Sequence, residues 1–169
     1  LAVLATPTHA PGLEQLPLYD EPFVAVTNPD DPLAGRTDLG LDSLKDLNLL
    51  LLDDGHCLRD QIVELCKIAE ATPGARKHAV TRASSLTTIV QLVVAGLGST
   101  LIPASAVGTE CSRPGVASAT FANGVQAQRT VSLVYRASSQ RVAEFEQLGQ
   151  LVKASYERAL ESGKSLLPR

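Results

Sequence analysis

The sequence predicts an α/β fold, and three observations predict it. Short β-rich runs alternate with amphipathic segments along the 169 residues. A hydrophobic content of 44% is enough to bury a core in one large or two small lobes. Helix start and stop residues flank the amphipathic segments, so the two periodicities switch at defined points.

Taken in order, Leu1 to Ala5 reads as a strand, and the Pro-rich stretch from Pro7 to Pro17 as a connection. Glu21 to Thr27 and Asn48 to Asp53 carry the apolar and β-branched composition of strands. A helix begins near His56, with Asp54 as its expected N-cap. It places Ile62, Leu65 and Ala69 on one side until Thr72, Pro73 and Gly74 end it. Lys77 to Arg82 reads as a strand. Ser84 and Ser85 can cap the next helix, where Leu86, Ile89, Val90, Val93 and Val94 recur at helical spacing before Gly96. Ser99 to Ile102 is a strand, the Gly, Ser and Ala-rich stretch from Val107 to Gly124 a connection, and Thr130 to Arg136 a strand. From about Arg141 to Leu160 a terminal helix carries Val142, Phe145, Leu148, Val152 and Tyr156 along one face.

Composition narrows the function. The longest apolar run, Leu49 to Leu52, falls far short of the ~20 residues that cross a bilayer, so no membrane segment is expected. A net charge of −3 with 15 scattered Lys and Arg gives no basic stripe, so this piece alone is not expected to bind DNA. Leu1 to Leu4 lack a basic leader and a long apolar stretch, which argues against a signal peptide. The start at Leu1 without Met suggests a trimmed or incomplete chain. Three cysteines, none in a close CxxC pair, indicate neither a secreted disulfide framework nor a zinc site; a reducing cytoplasm fits better. Nothing calls for a metal or an organic cofactor.

The chemistry concentrates in Leu49 to Asp60, LLLLDDGHCLRD: a buried strand, an acidic turn, then a first helical turn presenting His56, Cys57 and Arg59. Helix amides and the positive dipole end favour an anion there, and a guanidinium lies nearby, which suits a reactive thiol. Strand carboxyl ends are also where open α/β sheets collect ligands. Cys66 follows nine residues later, beside the apolar face of Ile62, Leu65 and Ala69. On one regular helix nine residues correspond to about 13.5 Å of rise, while a disulfide needs Cα atoms within about 7 Å. Bonding of the two thiols therefore requires the helix to unwind at least in part. Taken without other knowledge, such a pair is more often two structural core cysteines.

The string Gly55-His56-Cys57-Leu58-Arg59-Asp60-Gln61, with Cys66 nine residues after Cys57, resembles the redox motif of the OxyR, or peroxide-sensing, group of LysR-type transcription regulators. Three further stretches agree with general LysR effector-region patterns: Leu18 to Val24 with Asp31 to Ala34, Ser84 to Pro103, and Arg129 to Arg136. In order they cover nearly the whole chain. The resemblance implies a fold like the periplasmic binding proteins, two α/β subdomains joined by crossing strands around an effector cleft. Residues of about 17–125 would form the second subdomain. Residues 1–6 and about 129–169 would belong to an incomplete first subdomain. The family's N-terminal winged helix-turn-helix, through which promoter DNA is bound, is not in this sequence.

The resemblance also implies roles. Cys57 would react with hydrogen peroxide and Cys66 would form a reversible disulfide with it, changing the packing of regulatory domains in a homodimer or homotetramer. A cellular thiol reductant would reset the pair. His56 would polarise the site and orient peroxide, Arg59 would stabilise thiolate or leaving hydroxide, and Gln61 and Arg129 would line the peroxide pocket. Threonines that the family supplies from the first subdomain are not found here.

Plainer readings stand beside these. His56 can cap the helix or bond a carbonyl, Arg59 and Asp60 can pair locally, and Arg129 can be a surface residue. Cys111 matches no motif and reads as incidental, His78 reads as solvent-facing on a strand, and His9 lies in a connection. Two other function classes remain: a thiol peroxidase that turns over with the same two cysteines, and a LysR effector domain that binds an organic metabolite and keeps its cysteines for structure. A non-enzymatic sensor is the expectation, because the helix refolding implied in each direction suits a switch better than rapid turnover.

Overall fold

The computed structural model describes residues 1–8, 10–70 and 82–168, with the backbone alone at Arg82. Its strands are β1 (Ala2–Leu4), β2 (Leu13–Thr27), β3 (Leu51–Leu52), β4 (Arg82–Ala83), β5 (Thr100–Pro103), β6 (Ala117–Thr120) and β7 (Gln128–Arg136). Its helices are α1 (Cys57–Ile68), α2 (Leu86–Val94), α3 (Val107–Glu110) and α4 (Val142–Gly163), with short 3-10 turns at Leu41–Lys45, Ala104–Ala106 and Lys164–Leu166. The mixture of helices and sheet agrees with the predicted α/β class.

β2 organises the molecule. Its first part, from Leu13, pairs antiparallel with β7, which in turn pairs with β1. Its second part, from Phe23, pairs with β5 on one edge and, from Val24, with β6 on the other. One strand thus belongs to two pairing environments. Expecting a connection up to Pro17 is corrected: the strand already begins at Leu13. Prolines normally break a ladder, and here the register shifts between Pro17 and Tyr19, an irregularity beside the ring. The expected connection from Val107 to Gly124 is corrected too, since it contains α3 and β6. Both are short, and their Ala, Ser and Gly composition gives little period to read.

Two cores lie on opposite faces of the second part of β2. Phe23 and Ala25 point into one core with Leu49, Leu51, Ile62, Leu65 and Cys66. Val24 and Val26 point into the other with Leu50, Leu52, Ile89, Val93, Ile102 and Cys111. The unbroken apolar runs Phe23 to Val26 and Leu49 to Leu52 follow from this: a strand covered on both faces has no polar side, and successive residues feed alternate cores. Each such Leu or Val contributes roughly 1.5–3 kcal/mol by leaving water. The predicted strand Asn48 to Asp53 is narrower, with ladder pairing only at Leu51–Leu52, parallel to β4, and a single bridge from Leu49 to Ser99. Of the predicted strand Lys77 to Arg82, all but Arg82 lies outside the described residues, as do His78 and His9.

α2 begins as expected: the Ser85 hydroxyl accepts from the Thr88 N–H. α4 lies against β2, where Tyr156 stacks on Tyr19 with ring centroids 3.8 Å apart. Gly149 sits over Leu18, close enough that an added Cβ would meet the Leu18 methyl at 2.9 Å. Among the described residues no helix is long and apolar enough to cross a membrane.

Candidate functional site

The site is built at the end of β3. After Leu52 the chain turns through Asp53, Asp54 and Gly55, and Gly55 takes φ +92°, a conformation open to glycine without strain. His56 then occupies the N-cap position with extended backbone, and Cys57 is the first residue of α1. The expectation that Asp54 caps this helix is corrected. The turn places Asp54 two residues too early, and its carboxylate instead meets the Arg59 guanidinium at 2.8 Å. His56 is half-buried, and its side chain makes no capping bond although its carbonyl accepts from the Arg59 and Asp60 N–H groups. Cys57 therefore stands exposed among the N–H groups that open a helix, with no side chain competing for them from the cap.

Cys66 lies on the same uninterrupted helix, fully buried in the core beside Ile62 and Leu65. Burial pushes its thiol up to about 11, so it is held as the neutral, poorly nucleophilic form. The nine-residue spacing on a regular helix separates the two Cα atoms by about 13.5 Å along the axis. That is twice the reach of a disulfide, and both thiols are free.

Arg59 has two carboxylate partners, Asp54 at 2.8 Å and Asp60 at 3.3 Å, while its Nε is buried without a hydrogen-bond partner. The local pairing anticipated for Arg59 and Asp60 is therefore present, with Asp54 as the nearer anion. The charge stands two residues after Cys57 and ties Asp54 of the acidic turn to the helix.

Gln61, one turn after Cys57, meets Arg129 of β7. Arg129 Nη1 donates to Gln61 Oε1 at 3.5 Å, and Gln61 Nε2 donates to the Ala5 carbonyl at 3.0 Å. Arg129 is not an ordinary surface residue. Its Nε and Nη2 donate to Glu21 Oε2 at 2.8 and 2.7 Å, and Glu21 is buried to 1% exposure. The other Glu21 oxygen accepts from the Ser105 N–H at 3.0 Å. Gln61 and Arg129 line a cavity of about 280 Å³ together with Ala5, Phe23, Leu65 and Thr130. Glu21 was missed in the sequence; the available signal was an acidic residue opening an otherwise apolar strand.

Cys111, read as a loop residue, follows α3 and is buried in the second core. Burial, and secondarily the Glu110 charge, push its thiol up to about 11, while Arg113 opposes them. It shares no element with the other two cysteines. Among the described residues no group of three His, Cys, Asp or Glu side chains is placed to hold a metal ion.

With this geometry in view, comparison with known proteins places the chain. The LysR substrate binding domain family matches residues 1–157. A probable hydrogen peroxide-inducible genes activator of Mycobacterium avium is 45% identical over 152 residues, 89% of this chain and 47% of that protein. The hydrogen-peroxide-bound cysteine mutant of Corynebacterium glutamicum OxyR is 54% identical and superposes with a TM-score of 0.89, covering 96% of this chain and 51% of that one. The oxidized form of Corynebacterium glutamicum OxyR, with the same 54% identity and 96% of this chain against 50% of that one, superposes at only 0.77. The present conformation is thus nearer the peroxide-bound mutant than the oxidized form. The chain spans about half the length of the relatives it matches. The chain belongs to the LysR substrate-binding domain family and groups there with the OxyR regulatory domains.

Proposed function

We propose that the chain is the peroxide-sensing regulatory part of a transcription factor, with Cys57 as the sensing thiol and Cys66 as its partner. The observation that carries this is the contrast on α1: an exposed cysteine at the helix N-terminus and a buried, neutral one nine residues on. The Cys57 thiolate attacks one oxygen of hydrogen peroxide and the O–O bond breaks. Sulfur is oxidised to the sulfenic acid, and the departing hydroxide takes a proton to become water. The Cys66 thiol then attacks the Cys57 sulfur, an S–S bond forms, and a second water leaves carrying the Cys66 proton. A cellular dithiol returns both sulfurs to thiols. His56 orients the peroxide, Arg59 stabilises the anionic sulfur or the leaving hydroxide, and Gln61 and Arg129 hold peroxide from the far side.

Disulfide closure cannot leave α1 intact, so the chemistry is converted into a change of shape, which alters packing in a homodimer or homotetramer. Promoter contact is made through an N-terminal DNA-binding domain outside this sequence, in the cytoplasm. Residues of about 17–125 act as the second subdomain, and residues 1–6 and about 129–169 as parts of the first. The reaction is stoichiometric rather than enzymatic: a peroxidase with these cysteines would have to unwind and rebuild α1 in every cycle.

A second reading has one observation in its favour. The cavity at Gln61 and Arg129, about 280 Å³, is close to the size that accepts a small organic effector. Mass spectrometry of alkylation-trapped protein before and after stoichiometric peroxide separates the two. A rapid, thiol-reversible link between Cys57 and Cys66 supports the sensor. Unmodified Cys57, with an effector response that survives Cys57→Ser, supports the metabolite-binding domain.

A further inference from the structure

We propose that Glu21 is a positioning residue for peroxide reduction, acting through Arg129; the proposal rests on the reading that Cys57 meets peroxide beside Gln61 and Arg129. Residues four apart on a helix have Cβ atoms about 5–6 Å apart on one face, so Gln61 follows Cys57 on the same face of α1 and its amide extends into the cavity beside it, whose lining includes Arg129 but not Cys57 itself. Arg129 reaches that amide with Nη1. What decides where Nη1 points is the opposite edge of the guanidinium. Nε and Nη2 share a single Glu21 oxygen, at 2.8 and 2.7 Å, which holds that edge of the guanidinium in place, and the Nη1 bond to Gln61 is a third point of contact.

Glu21 is itself fixed. It is 1% exposed, and its second oxygen is held by the Ser105 N–H at the turn after β5. Its carboxylate therefore cannot swing to solvent, and the Arg129 charge cannot relax away from the cavity without leaving a buried anion unpaired. Among the described residues these bonds engage three of the five N–H donors of the guanidinium, and Arg129 also lines the cavity. The same chain of bonds continues through Gln61 to the Ala5 carbonyl after β1. A carboxylate on β2 thus sets the attitude of a cation on β7 relative to a thiol on α1, although nothing in the Glu21 contacts touches the sulfur.

The test compares wild type, Glu21→Gln, Arg129→Met and the double variant in two reactions of Cys57, oxidation by hydrogen peroxide and alkylation by iodoacetamide. Expected is a fall in the peroxide rate constant for Glu21→Gln on the order of tenfold to a hundredfold, the span that a mispositioned group costs. Iodoacetamide alkylation, which needs the thiolate but no peroxide pocket, should change less than about twofold. The double variant should be no slower than Arg129→Met alone. Equal slowing of both reactions would make Glu21 merely structural, and an unchanged peroxide rate would remove its role. A separate readout needs no peroxide: the Arg129 Nε–H resonance should be protected from exchange in wild type and lose that protection in Glu21→Gln. If wild-type Cys57 fails to react while this signal behaves as expected, the sensing reading falls and the anchoring of Arg129 stands as geometry only. If the signal is unprotected in wild type, the proposal itself is overturned.

Discussion

Cys57 and Cys66 stand on one continuous helix, the first exposed at its opening residue and the second fully buried in the core. The helix that makes Cys57 accessible is the same object that keeps Cys66 out of reach. Any disulfide between them is therefore coupled to loss of helix, and also to withdrawal of Cys66 from contact with Ile62 and Leu65.

If unwinding limits disulfide closure, helix propensity in mid-helix should set its rate. Glu64 is exposed and, among the described residues, pairs with Lys67 on the helix surface. Glu64→Ala and Glu64→Gly both remove that pair, but Gly is about 1 kcal/mol less favourable than Ala in a helix interior. Stopped-flow measurement of closure after sulfenic acid formation should find the Gly variant up to about fivefold faster than the Ala variant. Equal closure rates would show that unwinding is not limiting.

Alkaline pH should weaken the fold through its two buried thiols. Folding raises Cys66 and Cys111 to about 11 from an ordinary 9.0, so the folded chain keeps protons that the unfolded chain releases. Their contribution is fully present below pH 9 and is lost as pH rises toward 11. Urea unfolding across that range should show a steeper loss of stability in wild type than in Cys66→Ala/Cys111→Ala. At neutral pH, a thiol reagent should label Cys57 first, and the other two only on unfolding.

Removing one partner of a buried ion pair leaves the other charged and unpaired. Arg129→Met strands Glu21 at 1% exposure and should cost about 3–5 kcal/mol by chemical denaturation. Arg129→Met with Glu21→Gln should recover a good part of that loss. By contrast, Lys67→Ala at the exposed pair with Glu64 should change stability by no more than about 1 kcal/mol.

Much of this was legible in the sequence because it is local. The periods of α2 and α4, the serine cap at Ser85, the Gly55 turn and the nine-residue cysteine spacing depend on neighbours within a few positions, so they survive as pattern. The apolar runs at Phe23 and Leu49 announced strands for the same reason. What tertiary structure alone decided is who meets whom across the chain. Glu21 and Arg129 are 108 residues apart, and only the pairing of β2 with β7 makes them opposite. Pro17 sits in a strand at a point where the register shifts, and Asp54 turns to Arg59 because the Gly55 turn gives the cap position to His56. Side-chain order along a strand or helix is written in the sequence, whereas the charge partner of a buried carboxylate is set by sheet register, which no local pattern records.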